Sequence, residues 1–245
     1  VILTIYALIA LFPVVMILMN SFKTRKAIFG APFSFPTSET FSLIGYETVT
    51  ERAAFHLYFL NSAIVTFVAL ILTLFIGAMA AFALAEYDFP GNTLTALYLS
   101  LGIMIPIRLG TVGILRLMVD LKLVNTLTGL ILIYVAQSLP LTIFILSQFM
   151  RQVPRDLKDA ARIDGAGEFR IFWEIMLPLV RPALVVVAVF SLLYTWHDFF
   201  GPLIYLQDRD QYPLTLGLFA FQGQRSLEWP LIMAGATLTT LPMVI

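Results

Sequence analysis

His197 and Asp198 stand side by side within an apolar stretch, just after Trp196, and Arg108 follows Pro106 in another. An ionisable side chain at mid-bilayer costs roughly 2.5–3.5 kcal/mol on insertion scales, so it must face a partner or a water-filled path. Trp196, His197 and Asp198 therefore read either as the polar lining of a translocation route or as a hydrogen-bonded brace between helices. Arg108 is a candidate counter-charge for Asp198, and His197 with Asp198 would also suit a proton relay. Enzymatic chemistry lacks its parts. A phosphate loop needs Gly-Lys followed by Ser or Thr, and none of Lys23, Lys26, Lys122 and Lys158 follows a glycine. There is no cysteine, no His-Glu-x-x-His and no Gly-x-Ser-x-Gly. No grouping of His, Asp and Glu has metal-ligand spacing. Neither a metal nor another cofactor is expected, and the chain is not read as an enzyme.

Lipid must be the solvent for the elements that hold these residues. Of 245 residues, 60% are hydrophobic and 12% charged, with a mean hydropathy of +0.91. A soluble domain averages about 45–50% apolar and about 25% charged residues. The net charge of zero gives no reason to expect nucleic acid. A spanning helix needs roughly 20 apolar residues, and about six stretches qualify: 1–20, 58–85, 93–117, 124–149, 181–206 and 229–245. The runs are too continuous for the alternation of a barrel. The fold class is thus an all-α polytopic membrane bundle, one transmembrane domain over 1–245. The chain begins and stops inside apolar runs, which predicts truncation at both ends. Gly77, Ala81 and Ala85 recur at every fourth position, a stripe that lets another helix approach closely. Basic residues fall on both sides of the alternating loops, so the positive-inside rule does not orient the chain.

Residues 151–181 lie between two spans and predict a helix, a sharp break and a second helix. Pro154 suits a helix start, and Asp156 and Asp159 suit the positive end of the dipole. Leu157, Ala160, Ala161 and Asp164 share one face at helical spacing. Gly165 is the stop, expected at positive φ, where a larger side chain is also expected to push the two helices apart. Phe169, Phe172, Trp173 and Met176 then form an aromatic stripe. An alanine and aromatic face outside lipid needs a cover, either this protein's own helix ends or another protein.

The same segment resembles the EAA loop of ABC importer permeases. That loop runs Glu-Ala-Ala, three residues to Gly, then about ten to Leu-Pro; here stand Asp159-Ala160-Ala161, Gly165 and Leu177-Pro178. Asp replaces the usual Glu at the first position. Asn61-Ser62, Ala80 to Ala85, Leu123 to Thr126, Trp196 to Phe199, Tyr212 to Thr215 and Met233 to Ala236 are similar to the carbohydrate, maltose-type branch, in its smaller permease subunit. The resemblance implies a sugar importer subunit in a bacterial cell membrane, with a second homologous permease, two copies of a cytoplasmic ATPase and an extracellular or periplasmic binding protein as partners. It implies that 151–181 is the cytoplasmic coupling loop, in which Asp159, Ala160, Ala161, Asp164, Gly165, Phe169 and Phe172 meet the ATPase. The loop after the fifth span would lie outside, with Gln222, Gly223, Gln224 and Arg225 reaching the binding protein. The rival reading is an ion-driven carrier using His197 and Asp198, which leaves the structured loop unexplained.

Overall fold

The computed structural model describes residues 2–52, 54–220 and 228–244. The described residues are helices and loops, with one isolated bridge between Lys23 and Phe41 and no strand. In chain order the helices are α1 (Ile2–Ser21), α2 (Arg25–Gly30), α3 (Ile44–Arg52), α4 (Phe55–Glu86), α5 (Asn92–Met104), α6 (Thr111–Asp120), α7 (Leu127–Arg151), α8 (Arg155–Ile163), α9 (Glu168–Leu179), α10 (Arg181–His197), α11 (Phe200–Tyr205), α12 (Leu214–Ala220) and α13 (Trp229–Val244). Contacts divide the chain into two compact units, Val1–Ser62 with Gln207–Ile245, and Ala63–Leu206.

Three helices, α1, α4 and α7, are each long and apolar enough to cross a membrane alone. The stretch expected as the third span, 93–117, is broken. Pro106 lacks the N–H that would continue the ladder, and α5 turns through 88° into a 3₁₀ turn at Ile107–Gly110 and α6. The fifth stretch is also corrected. It ends as a helix at His197, and Asp198 is extended before α11 resumes. A bend of 77° at Val180 separates α9 from α10. The final helix is described over 16 residues.

In the first unit α13 packs against α1 and α3, around Val49, Leu231 and Ala234. Asn61 Nδ2 donates to the carbonyls of Asp210 (2.8 Å) and Tyr212 (3.1 Å), and Ser62 Oγ accepts from Leu214 N–H at 2.8 Å. The Asn-Ser pair thus pins the chain that leads into α12. Lys23 is fully buried and donates to the carbonyls of Ala31 (2.9 Å) and Pro32 (3.4 Å); burial pushes its pKa down. The apolar window of α1 buries none of its residues within the chain, which is the surface of a helix solvated by lipid.

The second unit has a core of Ala78, Ala81, Phe82, Leu146, Met150, Ile171, Phe172, Met176, Val180, Ala183 and Val187. The small residues of α4 allow α7 close. A Cβ on Gly77 would collide with the Thr142 methyl. That methyl cannot swing away freely, because threonine is stiff at χ1 and its hydroxyl donates to the Ser138 carbonyl at 2.8 Å. Gly77→Ala should therefore cost about 1–3 kcal/mol through overpacking, and adding Thr142→Ser should recover most of it. Thermal unfolding of the detergent-purified variants checks this; equal destabilisation of the single and double variants would contradict it.

Candidate functional site

The loop between α7 and α10 holds α8 and α9, and α8 turns two basic residues toward the protein. Pro154 precedes α8 in extended conformation and leaves α8 without a side-chain cap. Lys158 and Arg162, one turn apart, point into the protein, and Ala161 beside them is half-buried. On the opposite side Ile163 is 86% exposed, and Leu157 and Ala160 are exposed too. A surface helix ordinarily buries its apolar face and presents its charges to water; α8 instead turns Lys158 and Arg162 inward and leaves Leu157, Ala160 and Ile163 exposed beside Arg155, Asp156 and Asp159.

What holds the charged face inward is the carboxylate of Glu86, at the end of α4. Its side chain is 7% exposed and that of Lys158 is 6% exposed. Lys158 Nζ pairs with one carboxylate oxygen, and Arg162 Nη2 reaches the other at 2.6 Å. Arg162 also donates from Nε to Glu168 at 2.9 Å and from Nη1 to Asp159 at 2.9 Å. These carboxylates, Glu168 foremost and then Glu86, raise the Arg162 pKa further, so its charge is permanent. Tyr87 donates its hydroxyl to Glu168 at 3.0 Å; burial first, and that carboxylate second, push its phenol pKa up. Two charges out of water are tolerable only with such complete pairing, and removing one partner of a buried pair typically costs about 3–5 kcal/mol.

Gly165 ends the unit with φ +83°, the left-handed value expected of the stop. The 162 carbonyl receives its N–H at 3.0 Å, and Ala166 N–H reaches the 161 carbonyl at 2.9 Å. The expected crowding is absent. A Cβ at Gly165 meets nothing within 4 Å, so a substitution there strains the backbone without prising the helices apart. In α9, Ile171–Met176 forms a π-helical turn, a feature often found at functional positions.

The aromatic stripe divides. Phe172 and Met176 are buried, and the Phe172 ring lies 5.4 Å from that of Phe82. Phe169 is 67% exposed and Trp173 partly so, their rings 6.1 Å apart. Of the residues singled out from sequence, Asp159, Ala160, Asp164, Gly165 and Phe169 lie on the exposed side of the loop, Ala161 is half-buried and Phe172 belongs to the core. Glu86, Tyr87, Lys158, Arg162 and Glu168 escaped the sequence reading. Their signal was available, since Glu86 is the acid that closes an uncharged apolar run and Lys158 and Arg162 are spaced one turn apart.

The intramembrane polar residues form a second cluster. Asp198 accepts from the Tyr134 hydroxyl at 2.9 Å, from Gly201 N–H at 3.0 Å and from Phe200 N–H at 3.2 Å, so it caps α11 and ties it to α7. Arg108 Cζ lies 4.9 Å from the centre of the Phe200 ring, a cation–π distance. Trp196 is buried, whereas His197 is exposed, with Nδ1 3.2 Å from the Leu193 carbonyl. Nearby, a cleft of about 540 Å³ is lined by Gln137, Ser138, Pro140, Phe190, Ser191 and Tyr194, with the Tyr194 hydroxyl on Gln137 Oε1 at 2.5 Å. Gln222, Gly223, Gln224 and Arg225 lie outside the described residues.

Comparison with known proteins supplies the context for this geometry. Residues 73–245, which include the whole loop, match the family described as "Binding-protein-dependent transport system inner membrane component". The diacetylchitobiose uptake system permease protein of Streptomyces coelicolor is 37% identical over 99% of this chain and 80% of its own length. The arabinooligosaccharides transport system permease protein of Halalkalibacterium halodurans is 34% identical over 98% of this chain and 86% of its own. Among solved structures, a bacterial ABC transporter involved in the import of the acidic polysaccharide alginate matches with a TM-score of 0.84 at 20% identity. The match covers 99% of this chain and 90% of that one, and it is a likeness of fold. A matched family segment that carries α8, relatives aligned over nearly the whole chain and a shared helical fold lead to one assignment: the chain belongs to the binding-protein-dependent transport system inner membrane components, the non-enzymatic permease subunits of ABC importers.

Proposed function

We propose that the chain is one permease of a carbohydrate importer and that 151–181 is its ATPase-coupling loop. The observation that carries this is α8, whose Lys158 and Arg162 turn inward while Leu157, Ala160 and Ile163 face out beside Arg155, Asp156 and Asp159. An apolar face beyond the spans calls for a protein cover. The partners are a second permease, two copies of an ATPase, and a solute-binding protein outside the cell, which the resemblance to maltose-type permeases has the 207–228 loop meet. Relatives named for diacetylchitobiose and arabinooligosaccharides support a carbohydrate as the solute. The ion-driven alternative finds no support in a family defined by its dependence on binding proteins.

Reconstituted with its partner subunits, the complex should accumulate an oligosaccharide only with both ATP and the loaded binding protein, as measured by radiolabel uptake into proteoliposomes. Uptake driven by a proton gradient without nucleotide would overturn the reading.

Gly165→Val forces a branched residue to φ +83°, a strain of roughly 1–2 kcal/mol. The membrane subunits should still insert and pair, while ATPase content or its stimulation by the binding protein falls severalfold. Asp159→Ala should act in the same direction more mildly, because its exposed ion pair with Arg162 is worth about 0–1 kcal/mol. Quantified subunit ratios and stimulated turnover decide the matter, and full coupling in Gly165→Val would count against the loop.

Asp198 separates into two roles by substitution. Asn still caps a helix well, whereas Ala forfeits about 0.5–2 kcal/mol and strips the Tyr134 hydroxyl of its acceptor. Asp198→Ala should lower the yield of assembled complex; Asp198→Asn should keep the yield and reduce transport. Normal transport in Asp198→Asn would remove the charge from the translocation route.

A further inference from the structure

The coupling loop is joined by covalent chain to α7 and α10, yet its two inward-turned charges go to neither. Lys158 and Arg162 both pair with Glu86, which lies 72 and 76 residues earlier. One turn back along α4, Phe82 packs on Phe172 of α9. Both helices of the loop therefore seat on the last turn of one span, α8 through charge and α9 through an aromatic contact.

The charge contact sets a rotation that the hydrophobic effect opposes. Successive residues of an α-helix are about 100° apart. Turning α8 over would bury Leu157 and Ile163 against the chain, which apolar burial favours, although Asp156 would be carried inward with them, and would release Lys158 and Arg162 to water. Covalent attachment does not prevent it, because α8 enters through the turn at Gln152–Pro154 and leaves through Gly165 at φ +83°. Among the described residues, the ion pairs that tie α8 to a spanning helix are the two on Glu86. A buried polar group that fixes register against apolar alternatives is a well-attested use of such pairs.

We propose that Glu86 is the positioning residue of the coupling loop: it fixes the rotation of α8 so that the apolar face meets the ATPase, and it makes α4 the span through which displacement of the docked ATPase enters the membrane. This rests on the coupling reading above, but its first test does not.

The chain has no cysteine, so Ala160→Cys, on the exposed face, reports rotation through its reaction with a water-soluble maleimide in the permease pair without ATPase. Adding Glu86→Gln should slow labelling at least tenfold, and Glu86→Asp should slow it less. In the full complex, oligosaccharide moved per ATP hydrolysed should fall at least tenfold in Glu86→Gln. If Glu86→Gln does not assemble, Arg162→Gln replaces it, since that side chain is partly exposed; labelling and transport per ATP should then fall at least threefold. Unchanged labelling, or unchanged transport per ATP, in the assembled variant overturns the proposal. Failure of the wild-type complex to couple transport to ATP would instead overturn the reading beneath it, while the labelling result for Glu86 would stand.

Discussion

A carboxylate at the end of an uncharged helix pairs with both inward-turned charges of the 151–181 loop. Glu86 follows an apolar run and is itself nearly enclosed, so it is affordable only when both oxygens are paired. Lys158 and Arg162 supply the pairs. Their inward turn then dictates the rest of α8, because a helix short enough to have one inner face cannot also bury Leu157 and Ile163. Leu157 and Ile163 are exposed on this loop while Glu86 holds Lys158 and Arg162 inward.

Exposed apolar surface has two meanings in this molecule, and position along the chain separates them. On α1, α5 and the outer faces of α4 and α10 it lies within runs long enough to enter lipid, where the hydrocarbon is the cover. On α8 and at Phe169 it sits among Arg155, Asp156, Asp159 and Asp164, charges that cannot follow it into a bilayer. The same side-chain types therefore lie in runs that suit lipid in one place and among charges that keep them out of it in the other.

The fold was legible where one physical effect dominates. Long uncharged runs can only be spans, and Gly165 after a periodic face could only be a stop at positive φ. The breaks were harder to read. Pro106 and Pro140 both lie in apolar stretches, yet α7 runs through Pro140 unbroken while the chain at Pro106 turns by 88°. Proline removes the same donor in each case, and the neighbours that accommodate the loss decide whether the helix survives. At Asp198 the break comes from a side chain that satisfies the backbone of Phe200 and Gly201 in place of the helical ladder, competition that an acid can offer almost anywhere.

The loop's charges were visible in the sequence but not their use. Counted as loop charges, Lys158 and Arg162 speak only to topology, and they speak weakly, since basic residues occur on both sides. Their role depends on a partner more than seventy residues away, brought close because Ala78, Ala81 and Phe82 of α4 pack against Met150, Phe172 and Met176. Apolar packing thus sets the distance and charge sets the rotation. Apolar burial by itself would favour turning Leu157 and Ile163 inward. The carboxylate favours the other rotation, because its two oxygens take one donor each from Lys158 and Arg162 on the same face of α8. The division of labour explains why an apolar environment retains a charge that a well-packed hydrophobe of the same size would replace at no loss of stability.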